Sequence, residues 1–406
     1  MADISKLEQQ ADLLFNNVAG WEQSTLQRIG KRIGKYGKMS LADVKAINNI
    51  AVVKQDMDAI TKELARVTGY NISQIEQMYG ELLEEQHLAN QPLYDYRGKK
   101  FVPFAENREL QAIARAYAKT TGETMINLSR TKALRILDKN GNKIGMQRYF
   151  TDVLDKAVVQ VASGATDFHT AMRDSIVELG GSGVRVDYGE KVINGKKVPI
   201  TRRLDSVVRQ NLLDGAKQAS IAYNELIYDE LGCTGYEVDA HSSPRPSHMF
   251  VQGKQYCIGK SRTINGIKFI GFEETDPTSE DNLSASQALS QYGCLHHKTP
   301  ILCGISEPRF SKEQLAQIEA DNKKQYKVGN LEGNKYFFSQ KMRNLETAIR
   351  EQKRIEATAK ASGFTNEAKE ARAKIKAYRQ KYDEIAETTG LYADTKRMSV
   401  PRKPKT

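Results

Sequence analysis

The chain has 406 residues, 39% of them apolar, with 61 Lys and Arg against 50 Asp and Glu and only four cysteines. This length predicts two to four structural units with a genuine hydrophobic core, and excludes a small scaffold held together by disulfides. No segment reaches the ~18 uninterrupted apolar residues of a membrane span, and the first residues carry charges where a signal peptide is apolar. We therefore expect a soluble protein with no membrane partner, not secreted by that route, whose cysteines stay reduced.

The excess positive charge lies at the C-terminal end. Residues 309–406 contain 23 Lys and Arg against 13 Asp and Glu, a net charge of +10 out of the total of +11. The last segment, 396–406, has two prolines, no acid and five basic residues: Lys396, Arg397, Arg402, Lys403 and Lys405. Such a segment is predicted to be disordered, to contribute no core residue and to contact double-stranded DNA through its basic residues. A tail that only improves solubility is the alternative.

Residues 1–180 are predicted to form a helical N-terminal region. Apolar residues recur at spacings of three and four between residues 4 and 18 and again between 72 and 82, which is the pattern of amphipathic helices. Another helix is expected to begin near Ser40, and two more at 148–164 and 167–179. The repeated Arg-Ile-Gly-Lys of 28–38 suits either phosphate contact or close helix packing through its glycines.

Residues 181–308 are predicted to form a small mixed α/β module. Alternating apolar residues on both sides of Asn194-Gly195 predict a β-hairpin. An apolar stripe between Val208 and Leu226 predicts a long helix that ends near Gly232. Short strands and loops follow, and they contain most of the histidines and all four cysteines; Cys233, Cys257 and Cys303 are expected to be small core residues.

Residues 309–395 are predicted to form a basic antiparallel helical hairpin. Apolar seams at 338–349 and 371–385 are separated by a break at Ser362-Gly363. With the tail of 396–406, this gives four parts in all. The fold class is therefore expected to be α+β and predominantly α.

Two loops of the mixed module contain candidate metal ligands. His241 and His248 lie seven residues apart around two prolines, and Cys294 and His296 follow about 46 residues later. Together they offer nitrogen and sulfur donors in the number that a closed tetrahedral zinc site needs, so Zn²⁺ is the candidate cofactor. Two alternatives stay open: a polar cluster that joins the loops without metal, and a nucleophilic pair such as Cys294 with His248.

The same part of the sequence resembles the phage minor capsid protein family of tailed phages and prophages of Gram-positive bacteria, which is related to the phage head morphogenesis group. The resemblance is strongest between residues 187 and 307. The runs that carry it are Glu237-Val238-Asp239-Ala240-His241, Arg245-Pro246-Ser247-His248, Gln252-Gly253-Lys254, Gly293-Cys294-Leu295-His296 and Gly304-Ile305-Ser306-Glu307.

Within this resemblance, the family's paired histidines correspond to His241 and His248, and its Cys-x-His to Cys294 and His296. The chain departs from the family at Gly293 and Leu295, where an Asn and a basic residue are usual.

The resemblance implies a low-copy component of the virion that acts at the portal vertex in head assembly, with a role in DNA packaging or ejection. Its partners would be the portal protein, other capsid or scaffolding proteins, and double-stranded DNA bound without sequence specificity. It would not be an enzyme, and it would be found in the phage head and, during assembly, in the host cytoplasm. The alternative from another class is a metal-dependent nuclease or thiol hydrolase that uses the His/Cys cluster.

Overall fold

The computed structural model describes residues 4–36, 72–130, 134–138, 140–193, 196–291, 294 and 296–400. Over these ranges the fold is α+β and predominantly α, which confirms the predicted class. The helix expected near Ser40 lies outside the described residues. The predicted division into four parts stays a prediction.

Helices make up the first part of the chain. In order they are α1 (Ile4–Tyr36), α2 (Ile72–Ala89), α3 (Gln91–Arg97) and α4 (Arg108–Arg130). The apolar stripes predicted from spacing lie in α1 and α2, where Val18, Ile75 and Leu83 are fully buried. Burial of such a stripe is the main source of stability for a helix in a folded protein.

An antiparallel sheet with strand order β2-β1-β3-β4 follows. Its strands are β1 (Leu134–Leu137), β2 (Lys143–Gly145), β3 (Arg185–Ile193) and β4 (Lys196–Arg203). The predicted hairpin is confirmed, since β3 and β4 pair up to Ile193 and Lys196; the Asn194-Gly195 turn itself lies outside the described residues.

Three helices accompany this sheet, and all three were expected from the sequence. They are α5 (Met146–Ala162), α6 (Phe168–Gly181) and α7 (Leu204–Leu231). The carboxylate of Asp167 caps α6 by accepting a hydrogen bond from the backbone N–H of Thr170. The long helix α7 ends at Gly232, which adopts the left-handed conformation with φ of 58°.

The mixed module is built on a five-stranded sheet of order β7-β8-β6-β5-β9, in which only β6 and β8 are parallel. Its strands are β5 (Gly235–Val238), β6 (Gln255–Cys257), β7 (Arg262–Ile264), β8 (Ile267–Gly271) and β9 (Lys298–Ile301). A 3₁₀ helix, Pro246–Val251, lies between β5 and β6, and the short helix α8 (Ala285–Ser290) precedes β9. The two loops with the candidate ligands thus flank adjacent strands.

The predicted C-terminal hairpin is confirmed. Its elements are α9 (Lys312–Lys323), the strand pair β10 (Tyr326–Val328) and β11 (Leu331–Gly333), and the long helices α10 (Lys335–Ser362) and α11 (Thr365–Thr389). Gly363 makes the turn with φ of 84°. A final 3₁₀ helix spans Thr395–Met398.

The largest hydrophobic core contains side chains from both of the first two predicted parts, 1–180 and 181–308. It combines side chains of α1 to α7 with the inner end of the hairpin, including Ala359, Phe364 and Ala368. The outer part of the hairpin has a core of its own, and two smaller clusters lie in the mixed module. The hairpin is therefore anchored in the main body at its turn.

Close packing of α1 against α10 accounts for one of the glycines in the basic repeat. A Cβ atom added at Gly30 would lie 2.7 Å from Oγ of Ser362 and 2.9 Å from the carbonyl oxygen of Thr358. Only a residue without a side chain allows this approach. The packing interpretation of the repeat holds at this position.

The start of the predicted disordered tail is instead ordered. Met398 is 2% exposed and belongs to the core of the hairpin. Its carbonyl oxygen accepts a hydrogen bond from Nζ of Lys353, and that of Arg397 accepts one from Nη1 of Arg350. The prediction that this segment contains no core residue is therefore wrong at Met398, because the partners that order it come from α10.

The predicted DNA-binding residues of the tail fall into three groups. Lys396 is exposed. Arg397 is half-buried between acids, with Nη2 3.5 Å from Oε1 of Glu8 and Nε 3.2 Å from Oδ2 of Asp394. The other three, Arg402, Lys403 and Lys405, lie outside the described residues.

None of the described helices combines the length and the hydropathy that crossing a membrane requires.

Candidate metal centre

The structure brings three of the four predicted ligands together. One potential ligand atom each from His248, Cys294 and His296 lies within 4.8 Å of the others, and all three residues are buried. The Sγ atom of Cys294 is 3.7 Å from Nδ1 of His296. The 3₁₀ helix after β5 supplies His248, whereas the other two come from the segment that enters β9.

The fourth predicted residue, His241, lies beside this group. The centroid of its ring is 4.3 Å from that of the His296 ring. The centroid of the His248 ring is 5.7 Å from that of the His296 ring. Nδ1 of His241 is 3.0 Å from the carbonyl oxygen of Ser242, whereas its Nε2 is buried without a hydrogen-bond partner. Nε2 of His296 is buried and unpartnered as well.

Gln291 orients the cluster. Its Oε1 accepts hydrogen bonds from Nη1 of Arg245 at 2.9 Å and from Nε2 of His248 at 2.9 Å. Because a guanidinium only donates, the contact with Arg245 identifies this amide atom as the oxygen. Nε2 of His248 therefore carries the proton.

Backbone contacts brace the two loops against each other and against α7. The N–H of His297 donates to Oδ1 of Asp239 at 2.9 Å, and the N–H of Asp239 donates to the carbonyl oxygen of His297 at 3.0 Å. Nζ of Lys217, on α7, donates to the carbonyl oxygens of Leu289 and Cys294 at 2.7 and 3.1 Å. These hydrogen bonds connect both loops to each other and to α7.

Burial sets the protonation of the cluster. It lowers the pKa of His296 to about 2, and the neighbouring His241 and His248 add to this effect. Burial also lowers the pKa of His248 and raises that of the Cys294 thiol, the latter opposed by the Lys217 ammonium. Without a cation the imidazoles of His248 and His296 are thus neutral and the thiol is protonated.

The geometry gives little support to a nucleophilic pair. The thiol of Cys294 is 6% exposed, and a buried thiol with a raised pKa is a poor nucleophile. Of the two possible bases, His248 is oriented by Gln291, whereas His296, whose Nδ1 is 3.7 Å from Sγ of Cys294, has no partner on Nε2 among the described residues. The expected roles of Cys233, Cys257 and Cys303 as small core residues are confirmed, since all three are buried.

A cavity of about 140 Å³ borders the cluster between α7 and α8. Its lining includes Lys217, His296, His297 and Phe272. The imidazole of His296 therefore belongs both to the cluster and to the wall of this cavity.

The family assignment is decided by the comparison of the whole sequence with known families. Residues 3–385 match the family model for phage minor capsid protein 2. The chain belongs to the phage minor capsid protein 2 family. The match covers nearly the whole chain and confirms the resemblance noted in the sequence; no curated protein and no solved structure shows a significant match.

Membership of the phage minor capsid protein 2 family makes the protein a capsid component whose partners include other proteins of the phage head. Sequence reasoning found the four candidate ligands but missed Gln291 and Lys217, which position them. Neither residue lies near its contact in the sequence: Gln291 is 43 residues from His248, and Lys217 is 77 residues from Cys294. Asp239 had a weak signal, because it precedes His241 by two residues in the same run.

Proposed function

We propose that this minor capsid protein acts at the portal vertex during head assembly and contacts the packaged DNA through its C-terminal hairpin, without sequence specificity. Family membership supports the placement in the head. The charge distribution of the hairpin supports the contact with DNA.

The observation that carries the DNA contact is a basic stripe on the outer face of α11. The stripe consists of Lys369, Arg372, Lys376 and Arg379, at spacings of three and four, and all four side chains are exposed. Arg372 pairs with Glu356, whereas the other three form no ion pair within the described part of the chain. No acidic residue occurs between 371 and 382.

The dimensions of the stripe suit a DNA strand. Lys369 and Arg379 are ten residues apart, so with a rise of 1.5 Å per residue the stripe is about 15 Å long. Each strand of a duplex presents one phosphate per about 3.4 Å of helix axis, so a stripe parallel to that axis spans roughly four of them. Phosphate contacts by Lys and Arg are independent of sequence, as contact with a whole packaged genome requires.

The portal interaction can be tested by affinity capture of the full-length protein from cells that also make the portal and the major shell protein. After nuclease treatment, which removes any bridging DNA, we expect portal protein in the captured fraction. Capture of the shell protein without the portal would overturn the placement at the portal vertex.

A further inference from the structure

Three buried side chains of the mixed module lie close to the spacing of metal ligands. The candidate ligand atoms of His248, Cys294 and His296 are within 4.8 Å of one another. Zinc binds nitrogen and sulfur at about 2.0–2.3 Å, so the donors of a tetrahedral site lie roughly 3.3–3.8 Å apart. Shifts of about one ångström would therefore bring these donors to coordinating distance.

Hydrogen bonds to two of the rings determine which nitrogen has a free lone pair. Nε2 of His248 donates to Oε1 of Gln291, and Nδ1 of His241 donates to the carbonyl oxygen of Ser242, because both oxygens only accept. The lone pairs are therefore on Nδ1 of His248 and Nε2 of His241. Metal-binding histidines usually have such a contact on the nitrogen that does not bind the metal.

Two ring nitrogens of the cluster lack any partner. Nε2 of His241 and Nε2 of His296 are both buried, and neither forms a hydrogen bond within the described structure. A buried polar atom left unpaired costs about 1–3 kcal/mol, and such atoms are rare in folded proteins. A cation bound between these rings would give both atoms a partner.

We infer that His241, His248, Cys294 and His296 bind one zinc ion, which fastens the loop after β5 to the segment that enters β9. Three imidazoles and a thiolate suit zinc, whereas calcium and magnesium prefer oxygen ligands. Four protein ligands leave no position for water or substrate, so the site is structural. This role is independent of the proposed contact with DNA.

Elemental analysis of the untagged full-length protein, purified without chelators, tests the inference. We expect about one zinc per chain in the native sequence and loss of this zinc in Cys294→Ser. Cys303→Ser is the matched control, because Cys303 is equally buried but lies outside the cluster, and it should keep its zinc. Full zinc content in His241→Gln would overturn the assignment of the fourth ligand.

A second measurement uses only the native sequence, so its result does not depend on whether the variants fold. Metal-free native protein titrated with Co²⁺ should develop the absorption of a tetrahedral complex together with a thiolate-to-cobalt charge-transfer band, both saturating near one equivalent. Zinc added afterwards should abolish both. Folded native protein that contains no zinc and gives no cobalt spectrum would overturn the site altogether.

Discussion

Glu22 of α1 and Arg354 of α10 are in contact in the interior of the protein, with Oε2 and Nη1 3.3 Å apart. The side chains are 3% and 1% exposed. Oε1 of Glu22 also accepts a hydrogen bond from the backbone N–H of Val184, and its Oε2 is 3.4 Å from Nη2 of Arg203. One carboxylate thus connects the first helix, the first sheet and the C-terminal hairpin.

We expect Glu22→Ala to lower the free energy of unfolding by about 3–5 kcal/mol, because the buried guanidinium groups of Arg203 and Arg354 would each lose a carboxylate partner. Denaturant unfolding followed by tryptophan fluorescence measures this directly, since Trp21 is the only tryptophan and is fully buried. Glu356→Ala is the control, because its partners Lys360 and Arg372 are exposed, and it should cost only about 0–1 kcal/mol. Equal losses in the two variants would contradict the importance of the buried network.

A neighbouring carboxylate extends the same network. Asp205 is fully buried, with Nε of Arg203 and Nε of Arg350 each 3.5 Å from one of its oxygens. Burial alone would raise the pKa of Asp205, but the guanidinium groups hold it below its ordinary value. Asp205 thus joins β4 and α7 to the C-terminal hairpin.

The sequence predicted the elements whose signal is local. The stripe of α7, the hairpin around Asn194-Gly195 and the break at Gly363 all depend on neighbouring residues, and the structure has each of them. Contacts between distant residues had no such signal. Arg397 illustrates this, because composition indicated a solvated tail whereas its partner Glu8 is 389 residues away.

The sequence predicted the candidate ligands of the site, but it did not predict the residues that position them. His, Cys and loop prolines can be recognised from residue type and spacing, so His248, Cys294 and His296 were found. Their orientation depends on Gln291 and Lys217, which reach the cluster only through the packing of α7 and α8 against the sheet.

Two truncations of different length test whether Met398 contributes to the core of the C-terminal hairpin. The reference is removal of the residues after Val400, which deletes Arg402, Lys403 and Lys405 but keeps Met398. Removal of the residues after Asp394 also deletes Met398, and we expect a loss of about 2–4 kcal/mol, as for other large side chains removed from a core. Thermal and denaturant unfolding of the two truncations tests this, and equal stability would contradict the packing of Met398.

The basic stripe can be tested by neutralisation. Lys369→Gln, Lys376→Gln and Arg379→Gln together should weaken binding to duplex DNA of any sequence. The slope of log K against log salt should become shallower by up to about 3, at ~0.9 per lost phosphate contact.

A control with the same change in charge is available on α4, where Arg108, Arg115 and Lys119 are exposed on one face. Their triple replacement by Gln should leave the salt slope nearly unchanged. Equal effects of the two triple variants would show that total charge, and not the stripe, governs binding to DNA.

Acid sensitivity should arise in part at His87 on α2. Its ring stacks on Phe101 at 4.3 Å, its Nε2 is 2.8 Å from the carbonyl oxygen of Val102, and Nδ1 is buried without a partner among the described residues. Burial lowers the pKa of His87 below the ordinary 6.5, opposed by the contact with Val102 and by Glu230.

Because the unfolded chain binds a proton at His87 more readily than the folded protein, stability should be complete above pH 6.5 and fall as the pH drops below it. The slope from this residue is at most about 1.4 kcal/mol per pH unit. Denaturant unfolding between pH 7.5 and 5, as rough limits around that pKa, should show a flatter dependence in His87→Gln than in the native protein. Identical pH dependences would contradict this assignment.

Quantitative mass spectrometry of purified virions tests the central claim most directly. A minor capsid protein at the portal vertex should be present in the particles, at a copy number close to that of the portal protein and far below that of the major shell protein. Its absence from particles, or a copy number near that of the shell protein, would contradict the account.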